Sequence, residues 1–259
     1  MSSTTDVLGA VSDLARLMGD VALGHYRSTL HVDTKADGSP VTIADRAAEE
    51  AGRRWLRQRF PNDDVLGEEL GAQSGSSGRR WILDPIDGTK SFVRGVPLWG
   101  SLVALCEGEH VLAGAAYFPA VGEMVSAAVG EGSWWNGSRC AVSAVASLAH
   151  GTVLTTDDRF TDRPERRAGW LRLASAASVS RSWGDCFGYL LVATGRAEVM
   201  VDPILSPWDS AALQPIITEA GGSFTDWDGA MTAFGGSAVA TNASLATSTR
   251  ALLHFASND

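Results

Sequence analysis

The segment WILDPIDGT, residues 81–89, decides the fold of this 259-residue chain. Its apolar start is typical of a buried strand that ends at Asp84, and Pro85 is expected to interrupt the hydrogen-bond ladder of that strand. Asp87 follows three residues after Asp84, so the two carboxylates can converge and bind hard cations, which prefer oxygen ligands. The amides of Gly88-Thr89 then begin a helix and offer an anion site. These features indicate a metal-bridged phosphate site, although an ordinary Asp-rich turn explains the motif equally well when it is taken alone.

Acidic residues elsewhere in the chain are candidates for the same site. Glu68 lies in the pair Glu68-Glu69, which is also typical of a solvated surface. Asp209 follows Ser206 by three residues, and Asp45 follows Thr42 by the same spacing. That spacing is typical of a helix start, because the acid can accept the backbone N–H of the capping residue. The residues alone therefore leave both interpretations open, a structural cap or a metal site.

Composition restricts the class of protein. The chain is 45% hydrophobic and 20% charged, which predicts a packed, soluble globule. Its net charge of −9 disfavours nucleic-acid partners, whose phosphate backbone requires positive charge. The three cysteines, Cys106, Cys140 and Cys186, are far apart, so we expect no disulfide framework and a reducing compartment. Since the first residues lack the pattern of a signal peptide and residues 229–249 are uncharged but polar, we expect a cytoplasmic protein with no membrane partner.

Hydrophobic periodicity predicts different organisation in the two halves of the chain. In the first half, helices are predicted over 7–26 and 42–60, a flexible loop over 71–78, strands over 81–84, 101–108, 111–118 and 123–130, and a hairpin turn at Asn136-Gly137. In the second half, strands at 152–156, 179–182 and 198–203 alternate with helices near 165–176, 185–195 and 207–220. Such alternation favours an α/β unit, and the change in pattern falls near residues 140–150.

The combination of LGEE (66–69), WILDPIDGT (81–89) and WDSAALQPIITEAGG (208–222) resembles the inositol monophosphatase family of Mg²⁺-dependent, lithium-sensitive phosphatases. The resemblance implies a mixed α+β and α/β fold, a layered α-β-α-β-α sandwich of the inositol monophosphatase and fructose-1,6-bisphosphatase type. It implies an N-terminal α+β domain over 1–145, with an antiparallel sheet and most metal ligands, and a C-terminal α/β domain over 146–259. The Asp-x-Asp-Gly-Thr motif of haloacid-dehalogenase-type phosphatases is excluded, because its acids are two residues apart and lie near the N-terminus.

The resemblance also implies roles for individual residues. Two Mg²⁺ ions would be held by Glu68, Asp84, the carbonyl of Ile86, Asp87 and Asp209, with Asp84 bridging, and a third, weaker ion would lie on Glu68 and waters. Thr89, oriented by Asp45, would act with Glu68 to position and deprotonate the attacking water. The amides of Gly88 and Thr89 would bind the phosphate, and Lys35 matches a lysine on a loop near the metals.

Two further stretches, 88–105 and 181–203, resemble the histidinol-phosphate phosphatase branch of this family. Asp185 replaces a small neutral residue of the inositol enzymes, and Asp202 matches an acid that contacts substrate. Since histidinol is cationic, these acids would bind it by charge-assisted hydrogen bonds. Trp183 could stack on its imidazole, although a packing role explains a single tryptophan equally well. A role for Asp185 as a helix cap after Gly184 explains it equally well, and both roles are compatible.

The expected function is therefore Mg²⁺-dependent hydrolysis of L-histidinol phosphate to L-histidinol and phosphate, a step of histidine biosynthesis. Two alternatives stay open, namely inositol-1-monophosphatase or another small-molecule phosphatase of the family, and a family member that mainly contacts protein or RNA. The complete acidic set favours an enzyme. A homodimer is what the resemblance implies for assembly.

Overall fold

The computed structural model describes residues 4–28, 32–34 and 40–254, so Lys35 lies outside the described residues. The helices are α1 Thr4–Leu23, α2 Ile43–Arg59, α3 Thr89–Phe92, α4 Pro164–Ala176, α5 Asp185–Ala193, α6 Pro207–Ser210, α7 Leu213–Glu219 and α8 Ala246–His254. The strands are β1 Val32–Thr34, β2 Pro40–Thr42, β3 Asp64–Gly67, β4 Gly71–Gln73, β5 Arg79–Asp87, β6 Gly100–Glu107, β7 His110–Phe118, β8 Glu123–Ala128, β9 Gly132–Trp135, β10 Ser138–Arg139, β11 Thr152–Leu154, β12 Val179–Arg181, β13 Val199–Asp202, β14 Ser223–Thr225 and β15 Ala238–Thr241. Among these helices none has both the length and the apolar composition needed to cross a membrane.

The larger sheet has eight strands in the order β10-β9-β8-β7-β6-β5-β3-β4. Neighbouring strands are antiparallel except β3 and β5, which run in parallel. The register between β5 and β6 shifts between Asp84 and Asp87. Pro85 lies in this bulge, where a residue without a backbone N–H is tolerated. The strand therefore continues through Pro85 rather than ending at Asp84 as the sequence predicts, and the bulge redirects the chain.

The smaller sheet has five strands in the order β12-β11-β13-β15-β14. The three strands β12, β11 and β13 are parallel, and β15 and β14 add antiparallel strands at one side. Helices connect the parallel strands, as the alternating pattern predicts. The last strand of the larger sheet ends at Arg139 and the first of the smaller begins at Thr152. A division into domains at residue 145 stays a prediction.

Five layers result because each sheet is apolar on both faces. Successive side chains of a strand point to opposite faces, and in β5 Trp81 and Leu83 pack against α1 and α2 while Ile82 packs on the opposite side. The middle layer holds α5 and α7 between the two sheets, and α4 and α8 cover the outer face of the smaller sheet through residues such as Trp170 and Leu253. The predicted α-β-α-β-α sandwich is thus confirmed.

Most predicted elements are confirmed within a few residues, including the hairpin at Asn136-Gly137, where both residues have positive φ. Three predictions need correction. The first helix ends at Leu23 rather than residue 26, because the chain turns at Gly24. The segment predicted as a flexible loop begins with the edge strand β4, which pairs with β3. The helix predicted over 207–220 is two helices, because Pro215 has no N–H to donate to the carbonyl one turn earlier.

Candidate metal and phosphate site

The parallel register of β3 and β5 brings two acidic residues to one edge of the larger sheet. Gly67 is paired with Leu83, so Glu68 and Asp84 each follow the paired position on adjacent strands. The backbone N–H of Glu68 donates to the carbonyl of Leu83 at 3.2 Å. Asp84 is buried, and its Oδ1 accepts the N–H of Ile86 at 3.0 Å, which closes the bulge. The pairing of the strands therefore converts two distant sequence motifs into one acidic cluster.

Asp84, Asp87 and Asp209 form a group in which one carboxylate oxygen of each residue lies within 4.8 Å of those of the other two. The β5 bulge presents the first two, and the first turn of α6 presents the third. Oδ2 of Asp209 accepts the backbone N–H of Ser206 at 2.6 Å, as a capping acid does. Oδ2 of Asp87 accepts the N–H of Cys186, at the start of α5. These backbone donors fix the three carboxylates in one orientation.

The charges that raise the pKa values of this group belong to neighbouring acids. Burial, followed by the charges of Glu68, Asp87 and Asp209, raises the pKa of Asp84 well above its usual range. Burial also raises the pKa of Asp87, and Asp185 and Asp209 add to the effect. Burial raises the pKa of Asp209 to about 7 despite its hydrogen bond from Ser206. A bound divalent cation would reverse these shifts, and carboxylate oxygens at this spacing suit hard cations such as Mg²⁺ and Ca²⁺.

The turn after Asp87 carries the predicted phosphate-binding residues. Gly88 has φ +85°, and a Cβ there would lie 2.8 Å from the carbonyl oxygen of Leu98, so the turn requires glycine. α3 begins immediately afterwards at Thr89, and the first N–H groups of a helix have no acceptor within the helix. The hydroxyl of Thr89 donates to the carbonyl oxygen of Ile86 at 2.9 Å. The turn therefore combines the backbone amides at the start of α3 with the Thr89 hydroxyl, directly after Asp87.

Asp45 lies in the first turn of α2 in a confirmed capping box. Its Oδ2 accepts both the N–H and the hydroxyl of Thr42 at 2.7 Å. Its Oδ1 is buried and has no hydrogen-bond partner among the described residues. Burial raises the pKa of Asp45, and the charge of Glu68 adds to that effect. An orphaned buried oxygen beside the acidic group is consistent with a site that holds a further polar ligand.

Of the two predicted substrate acids, one lies at the end of a strand of the smaller sheet and the other at the start of α5. Asp202 ends β13 and is buried; its oxygens accept the N–H of Thr156 and the hydroxyl of Tyr189, each at 3.0 Å. Asp185 is the first residue of α5, with φ +51°, and its N–H donates to the Thr156 hydroxyl at 2.8 Å. A Cβ on Gly88 would lie 3.2 Å from Oδ2 of Asp185. The Asp185 carboxylate therefore lies against the turn at Gly88, whereas the Asp202 carboxylate is held by hydrogen bonds from Thr156 and Tyr189.

These residues line one pocket of about 500 Å³ between the sheets. Its lining includes six aspartates and one lysine, Lys90. Burial and the charge of Asp202 raise the pKa of Asp185 to about 7, and Lys90 opposes that rise. Burial raises the pKa of Asp202 to about 6. The pocket is therefore suited to ligands that bring positive charge.

Of the predicted site residues, the pocket lining includes Asp87, Gly88, Thr89, Asp185, Asp202 and Asp209. Asp84 is grouped with Asp87 and Asp209, Glu68 follows the strand that pairs with β5, and Ile86 is hydrogen-bonded to Thr89. Asp45 lies in the first turn of α2, and Lys35 lies outside the described residues. Sequence reasoning missed Thr156, which is hydrogen-bonded to both Asp185 and Asp202, and Tyr189, which donates to Asp202. It also missed Asp157 and Asp162 on the pocket lining. A signal for Thr156 existed, since polar residues directly after a parallel strand lie at the edge where α/β sheets bind ligands.

An acidic group that could bind a metal ion, next to the start of a helix and within a five-layer sandwich, is the arrangement expected of a metal-dependent phosphatase. A sequence model of the inositol monophosphatase family matches residues 4–257. The chain is 46% identical over 219 residues to a histidinol-phosphatase of Chlorobaculum parvum, covering 84% of each chain. It is 43% identical over 218 residues to a histidinol-phosphatase of Mycobacterium tuberculosis, covering 82% of this chain and 84% of that one.

The fold agrees with these sequence matches. The extragenic suppressor protein suhB of Bartonella henselae superposes with a TM-score of 0.90 at 28% identity, over 96% of this chain and 98% of the other. The chain therefore belongs to the inositol monophosphatase family and is a phosphatase. The family resemblance predicted from the three motifs is confirmed.

Proposed function

We propose that this protein hydrolyses L-histidinol phosphate in a Mg²⁺-dependent reaction. The observation that carries the choice of substrate is the Asp185 carboxylate, which lies against the Gly88 turn in an acid-lined pocket. A carboxyl group with a pKa near 7 gains more from a cationic partner than from a neutral hydroxyl, since charge-assisted hydrogen bonds are the stronger ones. The names of the two histidinol-phosphatase relatives support the same substrate.

The residues that would hold the cations are Glu68, Asp84, the Ile86 carbonyl, Asp87 and Asp209. Asp84, at the centre of the acidic group, is the candidate bridging ligand. The Ile86 carbonyl already accepts the Thr89 hydroxyl and keeps a second lone pair for a cation. When bound, divalent cations lower the pKa of a coordinated water and neutralise the charge of the phosphate and leaving oxygens. Two or three Mg²⁺ ions would suit this set of ligands.

The chain's own polar groups would position the reacting atoms. The amides of Gly88 and Thr89 would bind the phosphate oxygens at the start of α3. The Thr89 hydroxyl and the Glu68 carboxylate would orient the attacking water and accept its proton. The unpartnered Oδ1 of Asp45 is the candidate acceptor for the Thr89 hydroxyl once that hydroxyl turns away from Ile86. Phosphoryl transfer requires mainly such positioning and charge stabilisation, so no protein nucleophile is needed.

The leaving group would occupy the far side of the pocket. Asp185 would bind the amine or the imidazole of histidinol. Asp202 would either bind the same group of the substrate or hold Thr156 in place, and through Thr156 also Asp185. The second role fits its hydrogen bonds, because its oxygens already accept the Thr156 N–H and the Tyr189 hydroxyl. Trp183 is 43% exposed beside α5 and would supply a ring face for the imidazole. A neutral polyol would gain little binding energy from these acidic and aromatic side chains. The homodimer, the cytoplasmic location and the role of Lys35 stay predictions.

The decisive experiment measures phosphate release by purified protein with Mg²⁺ on four esters: histidinol phosphate, inositol 1-phosphate, fructose 1,6-bisphosphate and adenosine 3′,5′-bisphosphate. We expect the highest kcat/KM on histidinol phosphate. The Asp84→Asn variant, purified identically, is the control for contaminating phosphatases. We expect it to lose about 10³-fold or more in turnover, since a bound metal contributes several kcal/mol of charge stabilisation. A preference for inositol 1-phosphate would show that the substrate assignment is wrong.

A further inference from the structure

A buried ion pair behind the acidic cluster has no part in the reaction described above. Glu49 and Arg53 lie one turn apart on α2, and their side chains are almost fully buried. Arg53 Nε donates to Oε1 of Glu49 at 2.7 Å. Replacing a buried ion pair with apolar residues is often neutral or stabilising, so stability alone does not account for this pair.

The partners of this pair are backbone groups of the turn between β3 and β4. The N–H of Glu69 donates to Glu49 Oε2 at 2.8 Å, and the N–H of Leu70 donates to Oε1 at 3.2 Å. Arg53 Nη2 donates to the carbonyl of Gly71. Glu49 and Arg53 therefore hold three consecutive residues of the turn, all of which follow Glu68.

Gly67 shows how closely the carboxylate approaches the end of β3. A Cβ atom on Gly67 would lie 2.0 Å from Oε1 of Glu49, so only glycine leaves room for the carboxylate. Backbone contacts thus flank Glu68 on both sides, with Gly67 before it and the Glu69 amide after it. Gly67 is paired with Leu83 and the Glu68 N–H donates to the Leu83 carbonyl at 3.2 Å, so Glu68 lies next to Asp84 of the acidic group. The charge of Glu68 accordingly raises the pKa of Asp84 and of Asp209.

We propose that Glu49 is a positioning residue that fixes the turn over residues 68–71 and so directs the Glu68 carboxylate toward the cation site, with Arg53 as its anchor. This inference rests on the proposed role of Glu68 as a metal ligand. Groups that orient a ligand commonly change metal affinity by about 10- to 100-fold when they are removed. Glu49 is hydrogen-bonded to Arg53 and to the backbone of the turn and does not line the pocket, so its effect would pass through the backbone of the turn.

The chain contains a matched control on the same helix. Glu50 and Arg54 have the same spacing as Glu49 and Arg53, but their side chains are each 58% exposed and 3.7 Å apart. Glu49→Gln removes the charge and one acceptor at nearly constant shape, and Glu50→Gln makes the same change on the surface. Arg53→Lys keeps the charge of the anchor but loses the fork that reaches Gly71.

The first measurement is amide hydrogen exchange in metal-free protein. We expect Glu49→Gln to speed exchange of the amides of residues 68–71 by about tenfold, since hydrogen bonds to a charged acceptor are lost, while exchange in β6 stays unchanged. Glu50→Gln should leave both segments unchanged. Equal exchange in the turn of the wild type and of Glu49→Gln would overturn the proposal, and so would faster exchange everywhere.

The second measurement is calorimetric titration of metal-free protein with Mg²⁺, without substrate. We expect Glu49→Gln to weaken binding about 10- to 100-fold and Glu50→Gln to leave it unchanged. Glu68→Gln, titrated in parallel, separates the two hypotheses. If Glu68→Gln binds Mg²⁺ like the wild type, the proposed metal role of Glu68 is wrong. If Glu68→Gln binds weakly and Glu49→Gln binds normally, only the positioning role is wrong. If Glu49→Gln does not fold, the same titration is made with Arg53→Lys. We expect Arg53→Lys to bind Mg²⁺ more weakly than the wild type, and unchanged binding would contradict the proposal.

Discussion

Replacing Asp209 by asparagine tests whether this residue is a metal ligand or only a helix cap. Oδ2 of Asp209 accepts the N–H of Ser206 at 2.6 Å, and an asparagine carbonyl can accept the same hydrogen bond. The substitution therefore keeps the cap while it removes a negative charge from the acidic group. Its effect on stability should reverse sign between metal-free and metal-bound protein.

The magnitude follows from the raised pKa of Asp209, about 7 against an ordinary value of 3.8. About three pKa units at ~1.4 kcal/mol each set an upper limit of ~4 kcal/mol on the cost of its charge in the metal-free fold. Partial exposure of the side chain screens that charge, so we expect about 1–2 kcal/mol. Because the pKa of Asp209 is higher in the folded state than in the unfolded state, protonation of this residue favours the fold. That contribution to the free energy of unfolding is fully present below about pH 3.8 and is lost as pH rises through about 7. Metal-free Asp209→Asn should therefore be more stable than the wild type at pH 8 and equal to it near pH 4.

Mg²⁺ should reverse the order at pH 8. A ligand present at 100 times its dissociation constant stabilises the fold by about 2.7 kcal/mol, or roughly 5–10 °C in Tm for a chain of this size. The wild type should show this gain, and Asp209→Asn should show little of it because one ligand has lost its charge.

The assay is thermal unfolding at pH 4, 6 and 8, with EDTA or with Mg²⁺. A residue that serves only as a cap gives a different pattern. Asparagine is itself a good cap, so the variant would then match the wild type within a few tenths of a kcal/mol at every pH, with and without Mg²⁺. That result would refute the metal assignment of Asp209.

Three further predictions concern the chemistry, the substrate and the core. Thr89→Ala should lower turnover about 10²- to 10³-fold while calorimetric Mg²⁺ binding stays unchanged, and trapping a phosphorylated aspartate would contradict catalysis without a protein nucleophile. Asp185→Asn should raise the KM for histidinol phosphate about tenfold and leave glycerol 2-phosphate hydrolysis unchanged, whereas equal loss on both esters would indicate a structural role. Gly114→Ala should destabilise the fold by about 1–3 kcal/mol in denaturant titration, because its Cβ would lie 2.2 Å from the carbonyl oxygen of Ala212. The control is Gly9→Ala, at an exposed helix position where a Cβ would have no atom within 4 Å, and it should stabilise the fold by up to about 1 kcal/mol. Equal effects of the two substitutions on stability would show that the structure relaxes around the contact at Gly114.

The elements that sequence predicts well are those with a strong pattern of their own. β6 and β7 are long and apolar on both faces, and α2 carries its own capping box at Thr42 and Asp45. β4 has no such pattern, because all three of its residues are exposed and it exists by pairing with β3. The short strands β14 and β15 also depend on partners in the smaller sheet. Their positions follow from tertiary pairing, which a local pattern does not encode.

The same distinction applies to the site. Asp84, Asp87 and the Gly88 turn are predictable because one short motif contains them. Thr156 carries only the general signal of a polar residue after a parallel strand, because its contact with Asp202 arises when the parallel pairing of β11 with β13 brings the two together. Glu49 is invisible in the sequence, since an acid on a helix four residues before an arginine usually indicates a surface ion pair. Its burial against the β3–β4 turn is a property of the packed molecule.

The sequence leaves open whether Asp45 and Asp209 are structural caps or functional acids, and a count of their carboxylate oxygens shows that the two roles are compatible. In Asp45 the Oδ2 atom serves the cap at Thr42, and Oδ1 lies buried with no hydrogen-bond partner among the described residues. In Asp209 the Oδ2 atom serves the cap at Ser206, while the residue also belongs to the cluster with Asp84 and Asp87. A capping box holds its acid in one orientation at a helix start, and a metal site requires acids held in one orientation. One side chain can therefore do both, because capping fixes the carboxylate that would bind the cation.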